Sequence, residues 1–257
     1  MALTFYGDGI KAWYARLGGK SRLSKKLYAL FPNEDTYTTY VEPFFGAGWL
    51  FFEKDKSPKE VINDLDKDIY YAMKDIRTIQ PEQIQQMDFT PSKSRFLQLK
   101  DSKPTTTESR LYRFLYIKWA SFSGNMTTYN STQAKAMPRR QKNLIRRLPE
   151  IQARLKGVVI LNQDYSKVIK KYDSPSSFFY FDPPYLELET REYKHKTISI
   201  EDLAQQLRSL KGRFLLSYND HPTIRKAFQG MKITTIETVY IIGGERRPVR
   251  ELVITNY

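Results

Sequence analysis

Residues 176–189 read SSFFYFDPPYLELE, and the order of chemistries along them is the key to the fold. Phe178 to Phe181 is an unbroken aromatic run, so it reads as a strand covered on both faces, as in a parallel sheet, rather than one with a wet side. The run stops at Asp182, Pro183, Pro184 and Tyr185, although a plain stop needs only one proline. Asp182 precedes a proline and is kept out of the helical region, while two ring-locked φ angles stiffen the turn. The Asp182 carboxylate and the Asp182 and Pro183 carbonyls are thereby held as a rigid acceptor array. With no N–H on either proline and the Tyr185 ring beside it, this corner suits a flat ring carrying an amino group.

Outward from this stretch, similar apolar runs recur at Tyr37 to Glu42, Val61 to Asp64, Val158 to Asn162, Phe214 to Tyr218, Ile233 to Ile241 and Leu252 to Thr255. Most are short and almost wholly apolar, which predicts a largely parallel sheet. Helical spacing appears between them, at Leu23, Leu27 and Leu30, at Ile69 to Ile76, and at Leu203, Leu207 and Leu210, where Gly212 is expected to stop the helix. Alternating strands and helices predict an α/β fold. The last two strands, separated by GGERRPVR (243–250), are expected to form an antiparallel hairpin.

The gap between Asp64 and Val158 far exceeds the dozen or so residues of a normal crossover. An inserted module is therefore expected at 75–156, with 1–74 and 157–257 forming the main domain. The insertion carries Lys135, Arg139, Arg140, Lys142, Arg146 and Arg147, interleaved with Tyr112, Tyr116, Trp119, Phe122 and Tyr129. MPRRQKNLIRRLPEIQARL (137–155) reads as a helix burying Leu144, Ile145, Leu148 and Ile151. Its arginines make either a solvated face or a phosphate track, and the second fits the charge of the whole chain better.

That charge is +14, from 42 Lys+Arg against 28 Asp+Glu in 257 residues. Such a bias attracts phosphate backbones or anionic membranes. No apolar run reaches the roughly 18 residues of a membrane span, and the N-terminus lacks a signal-peptide core. A cytoplasmic protein that binds nucleic acid is expected, with no membrane partner. Cysteine is absent and histidine occurs only at His195 and His221, which excludes disulfide scaffolds, zinc fingers and thiol nucleophiles.

Two further motifs flank strands. In EPFFGAG (42–48), Gly46 and Gly48 follow a strand, where open α/β sheets bind cofactors and a side-chain-free backbone approaches a ligand closely. The motif is neither a full dinucleotide fingerprint nor a P-loop, and tight-turn packing explains the glycines equally well. In EVINDLDKD (60–68), Asp64 ends the next strand, in position to accept from ribose hydroxyls or to cap the following helix, as Asp66 also could. Together they point to an adenosine-containing cofactor.

With FDPPY (181–185) following PFFGAG (43–48), LGGK (17–20) ahead of both and a long insertion between the second and third strands, the chain resembles the Dam-type, α-group or D12-class, DNA adenine N6-methyltransferases. The resemblance implies a Rossmann-like, S-adenosylmethionine-dependent methyltransferase sheet with a mainly helical target-recognition insertion. It implies methyl transfer from S-adenosyl-L-methionine, released as S-adenosyl-L-homocysteine, to the exocyclic amine of an adenine flipped out of double-stranded DNA, without a metal. Under it Asp182, Pro183, Pro184 and Tyr185 hold the target adenine. Arg16, Lys20, Glu42, Phe45, Gly46, Gly48, Asp64, Asp164 and Asp182 line the cofactor site, although Asp164 reads equally well as a helix cap. FSGNMTTYN (122–130) is similar to the loop with which Dam enzymes enter DNA, which makes Phe122, Asn125, Met126, Thr127, Thr128 and Tyr129, with Arg139, Arg140, Arg146 and Arg147, the DNA-contacting set. A cognate restriction endonuclease fits such a family.

Two departures stand out. Arg16 occupies a position where family members commonly carry an aromatic, with Tyr14 two residues earlier, and Thr127 and Thr128 stand where readers of GATC have arginine. The resemblance therefore does not carry GATC over as the target. Cytosine C5 methylation is excluded by the missing cysteine. Cytosine N4 methylation, usually marked by serine in place of Asp182, RNA adenine methylation and an inactive DNA-binding relative remain the alternatives. Arg246, Arg247 and Arg250 of the hairpin are further candidates for backbone contact.

Overall fold

The computed structural model describes residues 12–14, 23–185, 198–242 and 245–257, the side chains of 123 and 239–247 excepted. The chain divides into two compact units, Met1–Ser24, Gly46–Lys56 and Lys67–Gly157 in one and Lys25–Phe45, Ser57–Asp66 and Val158–Tyr257 in the other.

The second unit holds the sheet: β1 (Thr39–Glu42), β2 (Lys59–Asn63), β3 (Val159–Leu161), β4 (Ser177–Phe181), β5 (Arg213–Asn219), β6 (Lys232–Ile242) and β7 (Glu245–Thr255). Its order is β3-β2-β1-β4-β5-β7-β6. β1 to β5 run parallel, while β7 inserts antiparallel between β5 and β6. The described fold is thus the expected α/β class with a terminal antiparallel pair.

The central strand β4 is buried at every position, and its period of two explains why an all-aromatic run is needed. Phe179 and Phe181 turn to the face shared with Val41, Val61, Phe214 and Leu216, while Phe178 and Tyr180 turn to the other, where Phe31 lies 4.7 Å and 6.0 Å from their rings. Each fully buried phenylalanine contributes about 1.5–3 kcal/mol.

Three expectations change. β3 is only partly buried along its length, because it lies at the sheet margin with β2 as its one strand neighbour. The hairpin turn is shorter than expected: β7 starts at Glu245, so most of GGERRPVR is strand. β5 pairs with β7 only from Glu251 onward, which leaves Pro248 in the two-stranded part, where a missing N–H is tolerated. Gly212 does not stop the preceding helix, which ends at Arg208. A Cβ there would sit 2.7 Å from the Ser177 carbonyl oxygen, so close backbone approach requires the glycine.

The helices are α1 (Ser24–Tyr28), α2 (Trp49–Glu53), α3 (Lys67–Ile76), α4 (Pro81–Gln85), α5 (Lys93–Asp101), α6 (Thr107–Ala120), α7 (Ser131–Lys135), α8 (Met137–Leu155), α9 (Tyr165–Tyr172), α10 (Ile200–Arg208) and α11 (Pro222–Ala227). The last three belong to the sheet unit and α2 to α8 to the helical one. The long segment of the helical unit runs Lys67–Gly157 rather than 75–156, because α3 packs on α6 through bonds such as Arg110 to Asp75.

Candidate active site

The carboxyl ends of β3, β2, β1 and β4 lie side by side, and each is followed by an acidic candidate. Glu42 ends β1, Asp64 follows β2, Asp164 lies beyond β3 and Asp182 follows β4. The register explains the alignment: Val41 pairs with both Val61 and Phe179, and Asn63 with Leu161. Arg16 and Lys20 lie outside the described residues.

The loops after these strands are tied together by a residue not singled out from the sequence. Asn63 is buried, its amide donates to the Pro43 and Gln163 carbonyls at 2.9 Å each, and its side-chain oxygen accepts from the Gln163 N–H at 2.9 Å. Its own carbonyl accepts from Phe45 N–H at 2.9 Å. Asn162 performs the same task one loop over, donating to the Asp64 and Leu65 carbonyls at 2.8 and 2.9 Å. An amide directly after the apolar pair Val61 and Ile62, at the end of β2, was the available signal.

Asp64 accepts from the Asp66 N–H at 2.9 Å and so shapes its own turn. Asp164 caps α9, one oxygen accepting from the Ser166 N–H and hydroxyl at 2.9 and 2.6 Å. Its other oxygen makes no hydrogen bond among the described residues, so the cap and a ligand contact are compatible. Phe44, after β1, and Tyr165, the first residue of α9, pack against the core with ring centroids 5.3 Å apart. After β1 the chain turns with Gly46 at φ 53° and Gly48 at φ 67°, a left-handed backbone that favours glycine. Carboxylates at neighbouring strand ends of the sheet unit fit an adenosine-bearing cofactor.

The Asp182 corner is braced from the neighbouring strands. Ser217 of β5 is fully buried and its hydroxyl lies 2.9 Å from that of Tyr180 and 3.3 Å from an Asp182 carboxylate oxygen. Burial, then the Asp182 charge, pushes the Tyr180 phenol well above its usual range, and burial, then Glu42, does the same for Tyr40. Both hydroxyls are therefore neutral, and Tyr40 donates to Glu42 at 2.8 Å. The Pro184 carbonyl accepts from the Tyr218 hydroxyl at 2.9 Å, and the Tyr185 hydroxyl donates toward Glu251. The carbonyl engaged internally is thus that of Pro184, which is not one of the expected acceptors.

The helical unit holds the second set of candidates. Residues 122–130 form a loop closed by a Ser121–Tyr129 bridge and by Phe122 N–H on the Thr128 carbonyl at 2.9 Å. Lys118, buried, donates to the Gly124 carbonyl at 2.7 Å. Asn125 accepts from the N–H groups of Thr127 and Thr128 at 3.0 and 3.1 Å, and Met126 takes φ 61°. Asn125 therefore shapes the loop, while the Thr127 and Thr128 side chains are exposed. Phe122 is 53% exposed, whereas Tyr116 and Trp119 are core residues, so most of the interleaved aromatics serve packing. Tyr129 packs against Phe96 at 5.5 Å.

α8 forms as expected, burying Leu144, Leu148 and Ile151, with Ile145 half-buried. Its arginines divide. Arg139 and Arg146 are exposed, two helical turns apart on one face. Arg140 donates to the Trp119 carbonyl at 2.8 Å and to Gln133, and Arg147 lies 3.9 Å from Glu150. Arg250 is 67% exposed beside Glu237, while the side chains of Arg246 and Arg247 lie outside the described residues. No helix among the described residues is long and apolar enough to cross a membrane.

The model of the D12 class of N6 adenine-specific DNA methyltransferases matches residues 17–242. The type II methyltransferase M1.LlaDCHI of Lactococcus lactis subsp. cremoris is 30% identical, covering 93% of this chain and 93% of that protein. The type II methyltransferase M.MjaIII of Methanocaldococcus jannaschii is 23% identical over 96% of this chain and 99% of its own length.

Proposed function

This chain belongs to the D12 class of N6 adenine-specific DNA methyltransferases, enzymes dependent on S-adenosylmethionine, and from that premise we propose that it methylates the N6 amine of an adenine flipped from double-stranded DNA into the Asp182 corner. The observation that carries the reading is the half-buried Asp182 carboxylate at the end of a fully buried strand, in a turn stiffened by two prolines and held by Tyr218 and Ser217.

The N6 amine of adenine is a weak nucleophile because its lone pair is delocalised into the ring. The Asp182 carboxylate and the Pro183 carbonyl accept its two hydrogens and localise the lone pair in one direction. Bound S-adenosylmethionine supplies an electrophilic methyl group, and Glu42, Phe45, Gly46, Gly48, Asp64 and Asp164, with Arg16 and Lys20, are the residues that would hold it. The carbon–nitrogen bond would form as the methyl carbon's bond to sulfur breaks, its electron pair staying on sulfur; the amine then becomes acidic, and Asp182 receives the proton it sheds. Positioning and electrostatics supply the rate, with no covalent enzyme intermediate. Flipping costs a few kcal/mol, offset by stacking on Tyr185 and by phosphate contacts from the helical module, whose exposed Arg139 and Arg146 and the loop tip at Thr127 and Thr128 support that assignment. Phosphate contacts position the duplex and the loop reads base edges. A cytoplasmic enzyme paired with a cognate endonuclease fits the type II relatives.

The test is transfer of labelled methyl from S-adenosylmethionine to duplex DNA, followed by identification of the modified base. N6-methyladenine is expected, and Asp182→Ala should lower the rate at least about 10²-fold while cofactor affinity stays within twofold. N4-methylcytosine, label only in RNA, or salt-sensitive binding without label would each overturn the reading.

A further inference from the structure

Glu251 has no part in the chemistry above, yet it is the most buried carboxylate among the described residues, 1% exposed, at the point where β7 joins the sheet opposite Asn219 of β5 and Ile236 of β6. Leu252, Val253 and Ile254, which follow it, are core residues. A carboxylate in such surroundings is costly unless its oxygens are engaged. Here both lie 2.9 Å from one atom, the Tyr185 hydroxyl, across 66 residues of sequence. The Tyr185 ring also meets Tyr218, with centroids 5.0 Å apart and planes inclined at 40°, and the Tyr218 hydroxyl holds the Pro184 carbonyl one residue before Tyr185.

We propose that Glu251 is a positioning residue that fixes the plane of the Tyr185 ring, so that the ring presents a preset stacking face to the target adenine. The inference rests on the proposed role of Tyr185 as the stacking residue. A tyrosine held only by its Cα would sweep about χ1 and χ2, and the adenine would have to order it on arrival. A charge-assisted bond at the far end of the side chain removes that freedom in advance. The antiparallel insertion of β7 is what brings the carboxylate to β4's exit loop. Glu251 acts on the base through Tyr185, and its removal lowers turnover rather than cofactor affinity.

Three variants, Glu251→Leu, Glu251→Gln and Tyr185→Phe, and the double variant E251L/Y185F, are compared by steady-state methylation of duplex DNA, with cofactor Kd measured separately. E251L and Y185F should each lower kcat about tenfold with cofactor Kd within twofold. E251Q, which keeps one acceptor and the shape, should recover part of the loss, and the double variant should be no worse than either single one. A kcat within twofold of wild type in Y185F, or losses that multiply in the double variant, overturns the proposal. Should E251L fail to fold, Y185F and E251Q carry the same test, since Y185F removes one half-buried oxygen. Absence of N6-methyladenine with the wild-type enzyme is the separate outcome that removes the functional reading itself.

Discussion

Replacing Asn63 probes the frame on which the cofactor loops hang. Its side chain makes three hydrogen bonds of 2.9 Å, two given to the carbonyls of Pro43 and Gln163 and one taken from the Gln163 N–H. At about 1 kcal/mol net for each, Asn63→Ala should lose about 3 kcal/mol. That is a large part of the roughly 5–15 kcal/mol by which proteins are folded, and corresponds to a Tm lower by roughly 6–12 °C in a chain of this size. The same bonds hold the loop from Glu42 to Phe45 against the loop leading to Asp164, so cofactor affinity should fall about tenfold. Asn63→Asp sharpens the test because it keeps the acceptor for Gln163 N–H but turns a carboxylate oxygen toward two carbonyls. An aspartate so placed has its pKa raised above the usual value of about 3.9. The unfolded state then holds fewer protons than the folded one above that value, so the deficit grows as pH rises and is smallest near pH 4. Circular dichroism melts at pH 5 and 8 and calorimetric titration with S-adenosylmethionine read both effects. A Tm drop below 2 °C for Asn63→Ala, or an Asn63→Asp deficit independent of pH, would refute the reasoning.

The arginines of α8 should separate by role. Arg139→Gln with Arg146→Gln is expected to reduce the slope of log K against log salt by about 0.9 for each phosphate that is no longer neutralised, at unchanged Tm, whereas Arg140→Gln should lower Tm because its bonds to Trp119 and Gln133 hold the loop; an unchanged slope for the first pair returns that face to plain solvation. Tyr40 and Tyr180 have pKa values raised well above 10.0 by burial, so their contribution to stability should be constant below about pH 10 and be lost above it, where the unfolded chain loses these protons first. Urea unfolding at pH 9 and 11 checks this, and a Tyr40→Phe, Tyr180→Phe variant that keeps the full alkaline loss would contradict it.

The strands were legible because parallel strands buried on both faces must be almost wholly apolar, and Phe178 to Phe181 could be little else. The family was legible because FDPPY, PFFGAG and the long insertion stand in one order along the chain. Helix existence followed from spacing, as in α8, but the role of individual residues within it did not. Arg139 and Arg140 are neighbours of the same chemistry, and only the position of the Trp119 carbonyl makes one internal and leaves the other in solvent. Gly212 reads as a helix stop because a glycine after a helical pattern looks the same whether it serves a turn or a close backbone approach.

What the sequence determined by itself is therefore local: which runs are strands, that one of them runs into a turn with two prolines, and that the chain carries excess positive charge. What the tertiary structure decided is which distant polar groups meet. Asn63 reaches Gln163, Ser217 reaches Asp182, and Glu251 reaches Tyr185, each from a strand that becomes a neighbour only through the order β3-β2-β1-β4-β5-β7-β6. Hydrophobic periodicity is a property of consecutive residues and survives in one dimension. A hydrogen bond between strands depends on pairing order and register, which are set when the whole sheet buries its faces together.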